Sequence, residues 1–137
     1  MSATRYLLDS NALSQFARTP HGALANAIYR QPPAALCTSI VVACEIQFGL
    51  QRGGSALIRS RMREILGVVA VLPLESPVEL HYAEIRAHLQ SIGQLIGSND
   101  MLIAAHARSL GLVAVTNNTR EFSRVPGLIV EDWTIAP

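Results

Sequence analysis

Asn99-Asp100-Met101-Leu102-Ile103-Ala104-Ala105-His106-Ala107-Arg108-Ser109-Leu110-Gly111-Leu112-Val113-Ala114-Val115-Thr116-Asn117-Asn118 is the stretch whose reading decides the fold. A helix over residues 100–110, capped by Ser98 or Asn99, is stopped by Gly111. An apolar strand follows over residues 112–115 and ends in a polar loop over 116–120. Helix, glycine, short buried strand and polar loop are the second half of a β–α–β unit.

The same grammar runs outward through the chain. Residues 6–9 read as a short buried strand, with Ser10 or Asn11 capping a helix near residues 12–17. Residues 19–22 make a turn, 23–30 a helix stopped by Pro32-Pro33, and 36–38 a second strand. Ser39 caps a helix from Ile40 to about Gln51, broken by Gly53-Gly54, and Ser55 caps an Arg-rich helix to about Leu66. A third strand is expected over 68–72. A helix to about Ile92 starts at Ser76-Pro77 with proline in its first position, and an edge strand is expected over 129–131. Short strands alternating with helices predict one α/β domain over residues 1–137 with a mainly parallel central sheet. Sites in such sheets form at the carboxyl ends of the strands.

The chain has three aspartates, and two of them edge apolar runs. Asp9 ends Tyr6-Leu7-Leu8, and Asp100 opens Met101 to Ala105. A carboxylate beside a core is costly unless something pairs with it. Glu45 joins them on a helical wheel: its neighbours three and four residues away are Val41, Val42, Phe48 and Gly49, while Gln47 and Gln51 mark the polar face. Asp100 has Ile103, Ala104 and Ala107 as wheel neighbours, with His106 pointing elsewhere. Each acid has an ordinary alternative as a helix cap or first-turn charge. Together they fit a site for Mg²⁺ or Mn²⁺, hard cations that take oxygen ligands and can polarise a phosphodiester. Asn118, Asn117, Ser10 and Asn11 are auxiliary candidates, against the turn chemistry that asparagines ordinarily serve.

Composition narrows the chemistry. All eleven basic residues are arginine. Without lysine there is no P-loop, no Schiff base and no Lys-activated serine, and a phosphatase or phospho-receiver site with its lysine is disfavoured. The net charge of +1 does not announce a nucleic-acid binder. Arg59, Arg61 and Arg63 read either as a solvated helix face or as a phosphate-contacting patch. Four histidines lack metal-ligand spacing, and Cys37 and Cys44 read as small buried hydrophobes. No apolar run approaches roughly 20 residues, and no secretory leader is evident, so a cytoplasmic protein without a membrane span is expected.

Tyr6-Leu7-Leu8-Asp9-Ser10-Asn11 resembles the opening strand of PIN-domain proteins, with Ser10 in place of the commoner threonine. The run Ser39 to Gly49, with Glu45 before its glycine, resembles that family's second conserved segment. Ile96 to Ala107, Val115 to Phe122 and Val125-Pro126-Gly127-Leu128 are similar to the VapC toxins of bacterial toxin–antitoxin pairs. The resemblance implies a PIN-like three-layer α/β/α domain and an Mg²⁺- or Mn²⁺-dependent endoribonuclease acting on structured RNA such as tRNA. It implies metal ligands at Asp9 and Asp100 with Glu45 completing the site, a homodimer, and neutralisation by a cognate VapB-type antitoxin. Many PIN domains carry a fourth acid after the fourth strand; here Asn118 stands near that place. A contrasting expectation is a catalytically inactive PIN-like binding module that acts through its antitoxin partner.

Overall fold

A computed structural model of the chain describes residues 4–135. Five strands form one sheet in the order β3-β2-β1-β4-β5, and every neighbouring pair is parallel. The strands are β1 (Tyr6–Leu8), β2 (Leu36–Ser39), β3 (Ala70–Leu72), β4 (Val113–Val115) and β5 (Val130–Glu131). The helices are α1 (Ser10–Arg18), α2 (Ala23–Tyr29), α3 (Ile40–Arg52), α4 (Ala56–Val68), α5 (Val78–Ser91), α6 (Ser98–Ser109) and the short α7 (Thr119–Phe122).

β1 lies at the centre and is wholly buried, which is why Leu7 and Leu8 are consecutive apolar residues rather than an alternating pair. Its register sets Leu7 beside Cys37 on one side and Ala114 on the other. β3 is an edge strand and correspondingly more exposed. The chain first moves outward from β1 to β2 and β3, then returns through α5 and α6 to β4 on the opposite side of β1. With right-handed crossovers, that reversal places α1 to α4 on one face and α5 with α6 on the other. The result is the expected α/β/α sandwich, and the reversal opens a crevice between the carboxyl ends of β1 and β4.

Several boundaries differ from the sequence expectation for identifiable reasons. Asp9, not Ser10 or Asn11, caps α1, its carboxylate accepting from the Ala12 amide at 2.8 Å. Pro77 stands one place before α5 instead of in its first position. α6 begins at Ser98 behind Gly97, without a side-chain cap, so Asp100 lies inside the first turn. Val68 closes α4, leaving β3 to start at Ala70. Thr119 and Arg120, the end of the loop expected over 116–120, instead open the short helix α7.

Cys37 is buried, and desolvation pushes its thiol pKa up to about 12. Cys44 is exposed, contrary to the expectation for both cysteines. It belongs to a solvent-facing stripe of α3 with Phe48, which is 63% exposed. Among the described residues no helix is long and apolar enough to cross a membrane.

Candidate active site

Asp9 leaves the carboxyl end of β1 and Thr116 the carboxyl end of the adjacent β4. Asp9 is 2% exposed. Burial, aided by the charges of Asp100 and Glu45, raises its pKa to about 6 against hydrogen bonds from the Thr116 hydroxyl and the Ala12 amide. Asp100 is half-buried in the first turn of α6. Its pKa is raised by desolvation and then by the charges of Glu45 and Glu121. Three elements distant in sequence, β1, α3 and α6, therefore bring Asp9, Glu45 and Asp100 within electrostatic reach of one another.

Asp9, Glu45 and Glu121 take hydrogen bonds from neutral donors. Glu45 accepts from the Ser10 hydroxyl and, at 3.4 Å, from the Asn99 side-chain amide. Glu121 accepts from the Asn118 side chain at 2.9 Å. The Asn118 backbone amide in turn donates to the Thr116 hydroxyl at 2.9 Å. A polar chain thus runs from Asp9 through Thr116 and Asn118 to Glu121, and Glu121 closes back on Asp100 through its charge. Among the described residues the ion pair found joins Arg108 to Glu84, on α6 and α5, and no arginine or histidine is ion-paired with the acids.

The wheel around Glu45 holds on one side only. Val41 and Val42 are buried, whereas Phe48 and Gly49 are exposed, so Glu45 sits half-buried at the border of the apolar face. The wheel around Asp100 is sound, since Ile103, Ala104 and Ala107 are all buried. His106 does not point to solvent. It is 1% exposed, its Nδ1 lies 2.8 Å from Ser39 Oγ, and burial lowers its pKa against the pull of the Pro73 backbone. It ties α6 to the start of α3, beneath the acids those helices carry.

Of the auxiliary candidates, Ser10 and Asn118 reach the acids. Asn11 and Asn117 are exposed and make no side-chain hydrogen bond among the described residues. Asn118 stands near the place of the fourth acid and donates its side-chain amide to an acid one turn on, Glu121. Glu121, Thr116 and Asn99 escaped the sequence reading. The available signal for Glu121 was its place three residues after Asn118, one helical turn on, but only if residues 119–122 are helical.

The donor set is one a hard divalent cation takes: carboxylate oxygens at a buried edge, with hydroxyl and amide groups around them. Among the described residues no three His, Cys, Asp or Glu side chains already stand at metal-ligand spacing. Glu45 and Glu121 lean onto Ser10, Asn99 and Asn118 rather than onto the other carboxylates. The raised pKa of the buried Asp9, unrelieved by any ion-paired side chain of the described residues, suits a site completed by a cation.

Known proteins share this plan. The PIN domain family model matches residues 6–128. The chain is 34% identical over 135 residues to ribonuclease VapC2 of Haemophilus influenzae, covering 94% of this chain and 98% of that protein. It is 41% identical over 102 residues to the tRNA(fMet)-specific endonuclease VapC of Shigella flexneri, covering 72% and 76%. Among solved structures it matches a chain of VapBC2 from Rickettsia felis, bound to a DNA fragment from their promoter, with TM-score 0.86 and 28% identity, over 95% of this chain and 99% of that one. The chain belongs to the PIN-domain family, among its VapC ribonucleases.

Proposed function

We propose that this chain is the toxin of a VapBC-type pair, an Mg²⁺-dependent endoribonuclease of the cytoplasm that cuts structured RNA such as tRNA. The observation that carries the proposal is the convergence of Asp9, Glu45, Asp100 and Glu121 at the carboxyl ends of β1 and β4, with Asp9 buried and raised to about 6. Support for the substrate comes from the relatives named as ribonuclease and tRNA-specific endonuclease. Support for the antitoxin comes from the neighbour solved as a VapBC complex. A homodimer is part of the same reading.

Asp9, Asp100 and Glu45 would hold the cation, with Glu121 beside Asp100; Mn²⁺ suits the same oxygen donors. When bound, the ion supplies positive charge at the phosphoryl oxygens and eases ionisation of a water. The chain's own residues set the stage for hydrolysis of a P–O bond. Ser10 and Asn99 fix the Glu45 carboxylate from two sides. The Ala12 amide and Thr116 hydroxyl hold Asp9, and Asn118 holds Glu121. None of these steps needs lysine, cysteine or histidine.

The test is growth on induction in bacteria, with wild type, Asp9→Asn and Asp100→Asn compared at equal expression. Arrest by wild type alone, with new RNA ends mapped by sequencing, supports the reading. Equal arrest by all three would remove the catalytic assignment. It would favour the inactive binding module, in which Asp9 serves only as the cap of α1.

A further inference from the structure

A cleft of about 390 Å³ opens between α1, α3 and α4. Ser10 and Glu45 line it, so it is continuous with the acid site. Its remaining charged lining is basic. Arg18 comes from the last turn of α1, Arg52 from the last turn of α3, and Arg59 from near the start of α4. Three arginines line this space against one carboxylate, with the Arg52 guanidinium resting 5.4 Å from the centre of the exposed Phe48 ring.

Two features make the lining more than a solvated arginine face. Arg59 lines the cleft, and its Nε is buried without a hydrogen-bond partner among the described residues. Arg61, two residues on, donates to the Ala17 carbonyl at 3.1 Å and so pins α4 against the end of α1, where Arg18 stands. The wall between α3 and α4 is the turn Gly53-Gly54-Ser55. Both glycines have positive φ, 103° and 106°, and Ser55 caps α4, so the positive end of that helix's dipole lies at the cleft. Arginine forks and a helix start together suit a phosphate oxyanion.

Two other clefts differ in kind. One has Arg30, Glu131 and Asp132 in its lining, and the other carries Glu75 and no arginine. Of these three clefts among the described residues, the α1/α3/α4 cleft joins an arginine-rich wall to the acids. A polyanionic strand whose reacting phosphate lies at the carboxylates must carry its next charges away from them, and this cleft offers the adjoining basic path.

We propose that the α1/α3/α4 cleft is a phosphate subsite for the RNA backbone flanking the cut, held by Arg18, Arg52 and Arg59. The proposal rests on the nuclease reading above. It assigns these arginines to substrate positioning, not to chemistry.

The test measures binding of a bulk tRNA preparation by filter retention, in an Asp100→Asn background that halts cleavage, between about 50 and 200 mM salt. Arg18→Gln and Arg52→Gln change exposed side chains and are examined singly and together, with thermal unfolding as the check on folding. Each lost phosphate contact lowers the slope of log K against log salt by roughly 0.7 to 0.9. The double variant is expected to lose about 1.5 from the slope and about tenfold or more in affinity. Wild type that cleaves RNA, with variants whose affinity and slope are unchanged, overturns the subsite and leaves the nuclease reading standing. Wild type that neither binds nor cleaves RNA overturns both. Unchanged RNA binding with weakened binding of the cognate antitoxin would make the cleft a peptide site and overturn the proposal.

Discussion

Replacing Asp9 with asparagine should stabilise the metal-free protein while abolishing its activity. Asp9 is buried, and its pKa moves from 3.8 to about 6. A shift of about two units corresponds to roughly 3 kcal/mol. Its sign is unfavourable: between pH 4 and 6 the unfolded chain has released this proton while the folded chain retains it. Stability therefore falls as pH rises through that window, and the full cost is present above about pH 7. Asparagine keeps the shape and the acceptor that meets the Ala12 amide, so the α1 cap survives. Allowing for weaker hydrogen bonds to a neutral acceptor, Asp9→Asn should gain about 2 kcal/mol at pH 8 in EDTA. For a chain of this size that is roughly 8 °C in Tm. The assay is thermal or urea unfolding of both proteins from pH 4 to 8. His106, with its lowered pKa, acts in the opposite direction, losing stability as pH falls. Its contribution cancels in the difference between the two proteins. That difference should be small at pH 4 and grow to its plateau near pH 7. A variant less stable than wild type at pH 8, or a difference flat across the range, would refute the claim that Asp9 is a desolvated acid unrelieved by the protein.

Other outcomes follow from the same structure. Mg²⁺ at about a hundred times its dissociation constant should stabilise wild type by about 2.7 kcal/mol and Asp9→Asn far less, read as a shift in Tm; equal shifts would place the ion elsewhere. A thiol reagent should modify Cys44 alone in the native protein and Cys37 only after unfolding, since burial pushes the Cys37 thiol up to about 12; two fast thiols by mass spectrometry would contradict this. Arg108 donates to His81 Nδ1 and the Pro126 carbonyl, each at 2.9 Å, and pairs with Glu84. Arg108→Ala should cost about 2–3 kcal/mol in urea unfolding, whereas Glu84→Ala, which removes only the exposed partner, should cost no more than about 0.5 kcal/mol.

The sheet was legible because its strands are uninterrupted apolar runs bounded by glycine, proline and capping residues. Leu7-Leu8, Val113 to Val115 and the helices between them admit few other arrangements. Asp9 and Asp100 stood out because a charge next to a core run is costly, and the fold places both at the crevice between β1 and β4. What escaped detection depended on tertiary context. Phe48 is exposed although it lies on the wheel face assigned to the core, because α3 packs with only part of that face. Cys44 shares that stripe and its exposure. Glu121 was hidden because α7 is four residues long, too short for its periodicity to register. His106 was hidden because its partners, Ser39 and the Pro73 backbone, lie far away in sequence.

The most direct measurement is cleavage of purified total tRNA by the purified chain, with product ends sequenced, in Mg²⁺ and in EDTA. New ends at defined positions, present for wild type in Mg²⁺ and absent in EDTA or with Asp9→Asn or Asp100→Asn, are the predicted result. The same ends appearing in EDTA, or with either variant, would contradict the account of these carboxylates as a cation-dependent nuclease centre.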